Sequence, residues 1–360
     1  MIVVLAGGGT GGHLMPALAL ADALIAVRSD VEPVIVGSRR GVEASILPHR
    51  PYRYHLLSAE PIYRRRWWRN LRWLGLAPRL AAQCRRVLAQ ERPRLVVGTG
   101  GYAAGPLLWF AHLRGIPIAL QEQNAMPGIT TRRLARRAAQ LHLGFAEAES
   151  HLRPGPHTAV FTLGNPITPP GRANQAEAKR RFGVTPDVPV VLVTGGSQGA
   201  QAINDAVAQM VTRNVLPRMA LLWSTGHGAF DALRAFHHPP DVQVRPFWDP
   251  IAEAYAAADL VVARAGAMTM AELAAWGLPS VLVPLPTAAA DHQSANAAAM
   301  AAAGAAVHVP QAALGPDVLE RELTTLMRDS VRLTAMAGQA SVRGRPQAAR
   351  AIAERLIELL

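Results

Sequence analysis

"IVVLAGGGTGGHLMPALALADALI", residues 2–25, holds in one stretch the parts from which the whole chain is built. Ile2 to Ala6 is a short run of β-branched and apolar residues, the composition of a strand. Met15 to Ile25 is rich in alanine and leucine at helical period. Between them "AGGGTGGH", residues 6–13, supplies glycines where a strand must turn directly into a helix. The same order returns at Leu95 to Val97, "GTGGYAAG" (98–105) and Pro106 to His112, and again at Val190 to Val193, "TGGSQGAQ" (194–201) and Gln201 to Val211. Such alternation gives βα units and parallel sheets covered by helices on both faces, so the fold class is α/β. Because the turns recur in both halves, the pattern predicts two Rossmann-like, doubly wound domains instead of one long sheet.

Length agrees, since 360 residues, 50% of them hydrophobic, exceed one comfortable core. The proline-rich polar stretch "GNPITPPGRANQAEAKRRFGVTPDVP" is the expected hinge, which places the domains at 1–163 and 164–342. From Arg345 to Leu360 the spacing predicts an amphipathic helix with Ala348, Ile352, Leu356 and Leu359 on one face. The sequence does not say where this tail, about 343–360, packs; the first domain is a candidate.

Lys and Arg number 37 against 25 Asp and Glu, a net charge of +12, and Lys179 is the single lysine. A guanidinium-rich surface favours polyanions: phosphodiesters, anionic lipid heads or diphosphates. The lone cysteine, Cys84, excludes an internal disulfide, argues against structural zinc and fits a reducing, cytoplasmic compartment. "MIVVLAGGG" reads as a first strand and not as a signal peptide. The longest apolar candidate is broken by Asp259, Arg264 and Glu272, so membrane contact is expected to be peripheral.

A glycine turn before a helix lets backbone N–H groups approach a phosphate, and the helix dipole adds positive potential. "GGGTGG" at 7–12 also satisfies G-x-G-x-x-G, but a dinucleotide site needs an acid ending the second strand, and "PVIVGSRR" ends in Gly37 and Ser38. The NAD reading is therefore minor. Tight turns without a ligand explain any one of these loops, though three in one chain less easily. His13 stands at the helix start, where the dipole disfavours its cation; it suits a base or a sugar contact, or else simply caps the turn. In residues 247–306 the strand Leu260 to Ala263 feeds "RAGAMT" and a helix carrying Glu272. An acid so placed can accept two hydrogen bonds from ribose hydroxyls, or can merely complement the helix N-terminus. "DHQSAN" then gathers Asp291, His292, Gln293 and Asn296 at another helix start, suited to sugar hydroxyls and equally to ordinary capping.

"GGGTGGH", "GTGGYAAGP", "QEQNAMPG", "GNPI", "TGGSQGA", "ARAGAMTMAELAAWGLPSVLVPLP" and "DHQSANA" occur in the order and spacing of the MurG family, which the chain resembles over essentially its whole length. The resemblance implies a GT-B glycosyltransferase of two Rossmann-like domains facing a cleft, moving GlcNAc from UDP-GlcNAc onto lipid I to make lipid II, with inversion. It implies Ser197 and Gln198 at the diphosphate, Glu272 on the ribose, Trp248 offering backbone groups to uracil, and Ala267, Met268 and Thr269 offering amides to phosphate. Gln293, with His292, would touch the GlcNAc hydroxyls. Thr10, Gly11, Gly12, His13 and Asn124 would face the transferred sugar and the acceptor. Gly8 and Gly9, with Gly100, Gly101 and Tyr102, would cradle the acceptor's pyrophosphate. Three positions depart from the family: Thr168 stands where an Arg near the nucleotide is common, "QEQN" replaces "HEQN", and Ala265 replaces a serine.

Inverting transfer needs a base for the acceptor hydroxyl and stabilisation of the leaving UDP. His13 is the favoured base and Glu122 its competitor; helix ends and amides serve the leaving group, with no cofactor and, in the absence of any D-x-D, no metal. The lipid acceptor brings the enzyme to the cytoplasmic face of the bacterial membrane. "YRRRWWRNLRW", 63–73, suits contact with a bilayer surface. On a helical wheel Trp67, Leu71 and Leu74 share a face with Trp68 beside it, Arg65, Arg69 and Arg72 lie opposite, and Trp73 follows. Gly75 and Pro78 are expected to end this helix. Core packing of the tryptophans, or a nucleic-acid arm, would use similar residues, but no nucleic-acid module surrounds them. Expected partners are UDP-GlcNAc, lipid I and an anionic membrane surface, with other cell-wall synthesis proteins possible and no nucleic acid. The rivals are another GT-B enzyme, such as a diacylglycerol glycosyltransferase or a UDP-GlcNAc 2-epimerase, and a non-catalytic basic adaptor of membrane or RNA.

Overall fold

The structure, a computed structural model, describes residues 1–60, 72–171, 173–196, 198–213, 218–288 and 291–360, with only the backbone of Trp73 and Leu74. It comprises two compact units, Met1–Thr168 with Pro346–Leu360, and Pro169–Arg345.

The first unit is a seven-stranded sheet, all parallel, in the order β3-β2-β1-β4-β5-β6-β7. The strands are β1 (Ile2–Gly7), β2 (Glu32–Ser38), β3 (Arg53–Leu57), β4 (Leu95–Gly100), β5 (Ile118–Glu122), β6 (Gln140–Leu143) and β7 (Ala159–Thr162). Period-2 alternation sorts each strand's side chains onto two cores. Val4, Ala6, Val34, Val36 and Val96 face α3 (Trp73–Glu91) and α4 (Ala104–Leu113). Val3, Leu5, Ile35, Leu95 and Val97 face α1 (Gly11–Val27) and α14 (Ala348–Ile357). The tail helix thus belongs to the first unit: Ile352, Ala353 and Leu356 are fully buried in that core, and Gln140 Nε2 donates to the Arg355 carbonyl at 2.9 Å. Ile352 and Leu356 each contribute about 1.5–3 kcal/mol by leaving water.

Helix α3 does not stop at Gly75 or Pro78; it runs from Trp73 through both to Glu91. An interior proline costs about 3 kcal/mol, but beyond it Leu80, Cys84, Val87 and Leu88 are all buried against the sheet. At roughly 1.5–3 kcal/mol for each large side chain, that burial outweighs the missing hydrogen bond.

The second unit repeats the design with six parallel strands, β10-β9-β8-β11-β12-β13. These are β8 (Val190–Thr194), β9 (Ala220–Ser224), β10 (Val242–Arg245), β11 (Leu260–Ala263), β12 (Ser280–Leu282) and β13 (Ala306–His308). Val191, Val193, Leu221, Trp223 and Val262 face a core shared with α7 (Gln201–Thr212) and α12 (Pro316–Arg328). Within 164–189 the chain forms α6 (Gln175–Arg181), capped by Asn174, whose side chain accepts from Glu177 N–H at 3.3 Å. Lys179, the single lysine, is buried against Asp259 at 2.7 Å, so the exposed positive charge is arginine.

In each unit the strand order reverses at one place, between β1 and β4 and between β8 and β11. Doubly wound sheets bind ligands beyond the carboxyl ends of the strands at such points. All three glycine turns and "RAGAMT" lie there.

Candidate active site

In the first unit the turn after β1 meets the turn after β4 backbone to backbone. Gly100 and Gly101 have φ of +97° and +83°, where a side chain is strained, and a Cβ on Gly101 would overlap the Gly8 carbonyl. A Cβ on Gly100 would lie 2.7 Å from His13 Cδ2 and 3.1 Å from Nε2, so that glycine makes room for the imidazole. Thr10 is the N-cap of α1, but its hydroxyl makes no cap bond; Oγ1 pairs with His13 Nδ1 at 3.1 Å. Thr99 Oγ1 donates to the His13 carbonyl at 2.7 Å, tying β4 to the helix start. No acid occupies the first turn of α1, and the Gly11 and Gly12 amides have no intrahelical acceptor. Gly9 differs from its expected role as a pyrophosphate donor, because its N–H is given to Glu43 Oε1. The Tyr102 ring fills the space beside Gly9, and its hydroxyl accepts from Ser38 Oγ at 3.2 Å. Ser38, standing where a dehydrogenase needs an acid, thereby holds the second turn.

Glu122 is buried and accepts four hydrogen bonds. Asn124 N–H (3.1 Å) and Nδ2 (3.3 Å) reach Oε1, while Gly128 N–H (3.0 Å) and Thr131 Oγ1 (2.6 Å) reach Oε2. With both oxygens engaged in shaping the Asn124 loop, it lacks the open face a general base needs; this corrects its expected competition with His13. Behind the loop, "QEQN" and "GNPI" meet in a buried amide network. Gln121 Nε2 donates to Asn165 Oδ1 at 2.9 Å, Asn165 Nδ2 to the Gln123 carbonyl at 2.9 Å, and Gln123 Nε2 to the Thr99 carbonyl at 2.8 Å. Thr168 closes this unit as an exposed residue.

In the second unit Gly196 and Gly199 of the third turn have φ of +79° and +73°. Ser197 lies outside the described residues, and Gln198 beside it is exposed. Helix α10 (Ala267–Trp276) starts at Gly266 with no acid in its first turn, so amides there, Met268 and Thr269 among them, meet no intrahelical acceptor. Glu272 stands past that first turn and so does not serve as its counter-charge. It is partly buried, and Tyr255 on α9 (Ile251–Ala257) donates to its Oε2 at 2.9 Å, leaving Oε1 without a partner among the described residues. Burial pushes the Glu272 carboxyl up, and the Tyr255 hydrogen bond opposes it.

The "DHQSAN" cluster divides. Asn296 is fully buried and donates to the Ala265 carbonyl at 3.1 Å, and Asp291 accepts from Ser294 at 2.6 Å, so both shape α11 (His292–Ala302) and its junction with "RAGAMT". His292 and Gln293 are partly exposed, and Gln293 Oε1 accepts from Leu285 N–H at 2.9 Å. Trp248 is buried edge-on to Phe182, with the Arg245 guanidinium 4.5 Å from its ring centre.

Of the membrane residues, Arg65, Trp67, Trp68, Arg69 and Leu71 lie outside the described residues, as do the side chains of Trp73 and Leu74. Arg72 is exposed, 3.6 Å from Glu60. The sequence reading missed Trp109 and Leu113, spaced i, i+4 on α4 and exposed at 40% and 61%, with the Arg137 guanidinium 4.9 Å from the Trp109 ring centre. It also missed Tyr255, Asn165 and Glu43. Only Trp109 and Leu113 carry a local signal, their shared helical face.

Residues 3–143 match the glycosyltransferase family 28 N-terminal domain, and residues 190–356 match the family 28 C-terminal domain. Two such units, each with glycine turns at its switch point, define a glycosyltransferase of the GT-B fold. A UDP-N-acetylglucosamine--N-acetylmuramyl-(pentapeptide) pyrophosphoryl-undecaprenol N-acetylglucosamine transferase of Chlorobaculum parvum is 41% identical, the match covering 100% of this chain and 99% of that one. The enzyme of the same name from Salinibacter ruber is 40% identical over 99% of this chain and 96% of its own. The crystal structure of Acinetobacter baumannii MurG superimposes with a TM-score of 0.76 at 28% identity, covering 99% of both chains. The chain belongs to the MurG family.

Proposed function

We propose that this chain transfers GlcNAc from UDP-GlcNAc to lipid I, undecaprenyl-pyrophosphoryl-MurNAc-pentapeptide, to form lipid II for peptidoglycan synthesis. The observation that carries this reading is the match to transferases of that name along the entire chain, at up to 41% identity. The geometry supports a division of labour between the units.

In the first, the Gly11 and Gly12 amides and the positive end of α1 attract the acceptor's pyrophosphate. Thr10 pairs with His13 Nδ1, and the imidazole, whose Nε2 edge lies beside Gly100, takes the proton from the attacking hydroxyl. Asn124, held by Glu122, positions the sugar. In the second, Glu272 Oε1 accepts from the ribose, the third turn with Ser197 and the α10 amides neutralise the departing diphosphate, Trp248 lends backbone groups to uracil, and His292 and Gln293 meet the GlcNAc hydroxyls. Inversion follows from a single displacement: the acceptor oxygen bonds to the anomeric carbon as the bond to UDP breaks, and the proton passes to His13.

Among the described residues no helix is long and apolar enough to cross a membrane. Peripheral attachment to the cytoplasmic face through 63–74, with exposed Trp109 and Leu113 and the adjoining Arg137 as a further apolar and basic contact, brings the site to its lipid. The test is turnover of UDP-GlcNAc with a lipid I analogue, with other UDP-sugars and other lipid acceptors in parallel. Release of an epimerised sugar without acceptor, or preference for diacylglycerol, overturns the reading. Liposome co-sedimentation of a Trp67/Trp68/Arg65/Arg69 variant tests the attachment, and binding equal to wild type counts against it.

A further inference from the structure

We propose that Glu43 is a positioning residue for the first glycine turn: its buried carboxyl takes the Gly9 N–H and so sets how the remaining amides and His13 present themselves to the acceptor. This rests on the reading of that turn as the acceptor's pyrophosphate cradle.

Glu43 opens the short helix α2 (Glu43–Ile46), 34 residues beyond Gly9, and is fully buried. Its room exists because Gly8, Gly37 and Gly41 lack side chains. A Cβ on Gly8 or Gly41 would overlap the carboxyl oxygens, and one on Gly37 would lie 2.6 Å from Cγ. Oε1 accepts from Gly9. Oε2, on the Gly41 side, is buried and has no hydrogen-bond partner among the described residues. Among the described residues no cation pairs with Glu43; Arg40, three positions earlier, is engaged by Glu60 at 2.7 Å.

An acid in this place presents a physical conflict. Ionised, it is a buried charge, unpaired among the described residues, beneath a turn read as receiving an anion, unfavourable both to the fold and to the ligand. Burial pushes the Glu43 carboxyl up, against the pull of the Gly9 and Glu43 amides. A neutral carboxyl removes the conflict and still accepts from Gly9 through its carbonyl oxygen. Gly9 then serves as the anchor of the turn, and the ligand is met by the amides that follow it.

The test uses the full-length chain with a lipid I analogue. Glu43→Met keeps volume without an acceptor, and Glu43→Gln keeps the acceptor. We expect E43M to lose roughly 100-fold in kcat/KM for the acceptor, through both a lower kcat and a higher acceptor KM, since a displacement near 1 Å has that order of effect. UDP affinity, read by calorimetry, stays at the wild-type value. E43Q recovers acceptor kcat/KM to within about threefold of wild type. A merely structural role would instead lower kcat and Tm in both variants with the acceptor KM unchanged, and that result overturns the inference. Wild-type acceptor kinetics in E43M, or E43Q no better than E43M, overturn it while leaving the cradle reading intact. Should E43M not fold, Glu43→Asp, which withdraws the carboxyl from Gly9 by one methylene, replaces it, and wild-type acceptor kinetics there are equally fatal. Absence of wild-type turnover with lipid diphosphate acceptors overturns both readings.

Discussion

At the switch point of the first unit two glycine turns press backbone against backbone, Gly101 onto Gly8. At that of the second the third glycine turn packs instead against the turn after β9, where a Cβ on Gly199 would overlap the Thr225 carbonyl. Both sites begin from the same element, a helix N-terminus with no acid in its first turn. They differ in where the carboxylate sits. In the first unit Glu43 is buried under the turn and Glu122 is consumed by four hydrogen bonds, so the accessible titratable group is a histidine. In the second, Glu272 keeps one oxygen unpartnered among the described residues. Under the proposed function, the same backbone device serves proton transfer where its acids are withdrawn, and hydroxyl recognition where one is left available.

Removing the imidazole should separate the two sites most sharply. His13→Ala is expected to lower kcat by roughly 10²–10⁴-fold, the range for loss of a general base, with the UDP-GlcNAc KM little changed. Steady-state kinetics with a lipid I analogue decide it; an unaltered kcat would remove His13 from the reaction.

The second contrast concerns stability. His142 on β6 is fully buried, stacked 5.5 Å from Phe161, with the Arg355 guanidinium 5.1 Å from the same ring. Burial first, and the Arg355 charge second, push its pKa down to about 4 from 6.5. Because the folded value is depressed, the unfolded chain binds the proton more readily. Stability is therefore present above pH 6.5 and is lost as pH falls toward 4. A shift of this size amounts to roughly 3 kcal/mol in the first unit, a factor near 10² in its folding equilibrium. Urea midpoints measured at pH 7 and pH 5 should differ for wild type and converge for His142→Gln. An equal pH dependence in the variant would place the effect elsewhere.

Glu272→Ala addresses the second unit. Loss of charged hydrogen bonds worth about 1.5–3 kcal/mol each predicts a rise of at least roughly tenfold in the Kd for UDP, read by calorimetry. A Kd for UDP equal to wild type would deny Glu272 the ribose.

The class of fold was legible because strand, glycine turn and helix are local patterns, and "IVVLAGGGTGGHLMPALALADALI", residues 2–25, carries all three. What escaped the sequence acts across distance or through packing. Pro78 reads as a helix stop until the burial of Leu80 to Leu88 is known. Asn165 finds Gln121 at a separation of 44 residues, and Glu43 finds Gly9 at 34. No periodicity encodes such pairings. Glu122 is the instructive intermediate case. Its partners Asn124, Gly128 and Thr131 all lie within nine residues, so a carboxylate preceding "QNAMPGITT" could have been read as the clamp of its own loop.

The smallest effect refines the carboxylate itself. Tyr255 donates to Glu272 Oε2 at 2.9 Å and thereby lowers a pKa that burial raises. In Tyr255→Phe the burial remains and the opposing bond is gone, so the Glu272 pKa must rise above its wild-type value. In the proposed role ribose is held by the ionised form, which is lost as pH falls through that pKa. UDP-GlcNAc binding in Y255F should accordingly weaken only about threefold near neutral pH, the loss of one modest hydrogen bond, and should fail at a higher pH than in wild type. Calorimetric titrations with UDP across pH 5 to 8 distinguish the outcomes. If the acid limb stays where it is in wild type, Tyr255 is a packing residue, and the opening at Glu272 owes nothing to its hydroxyl.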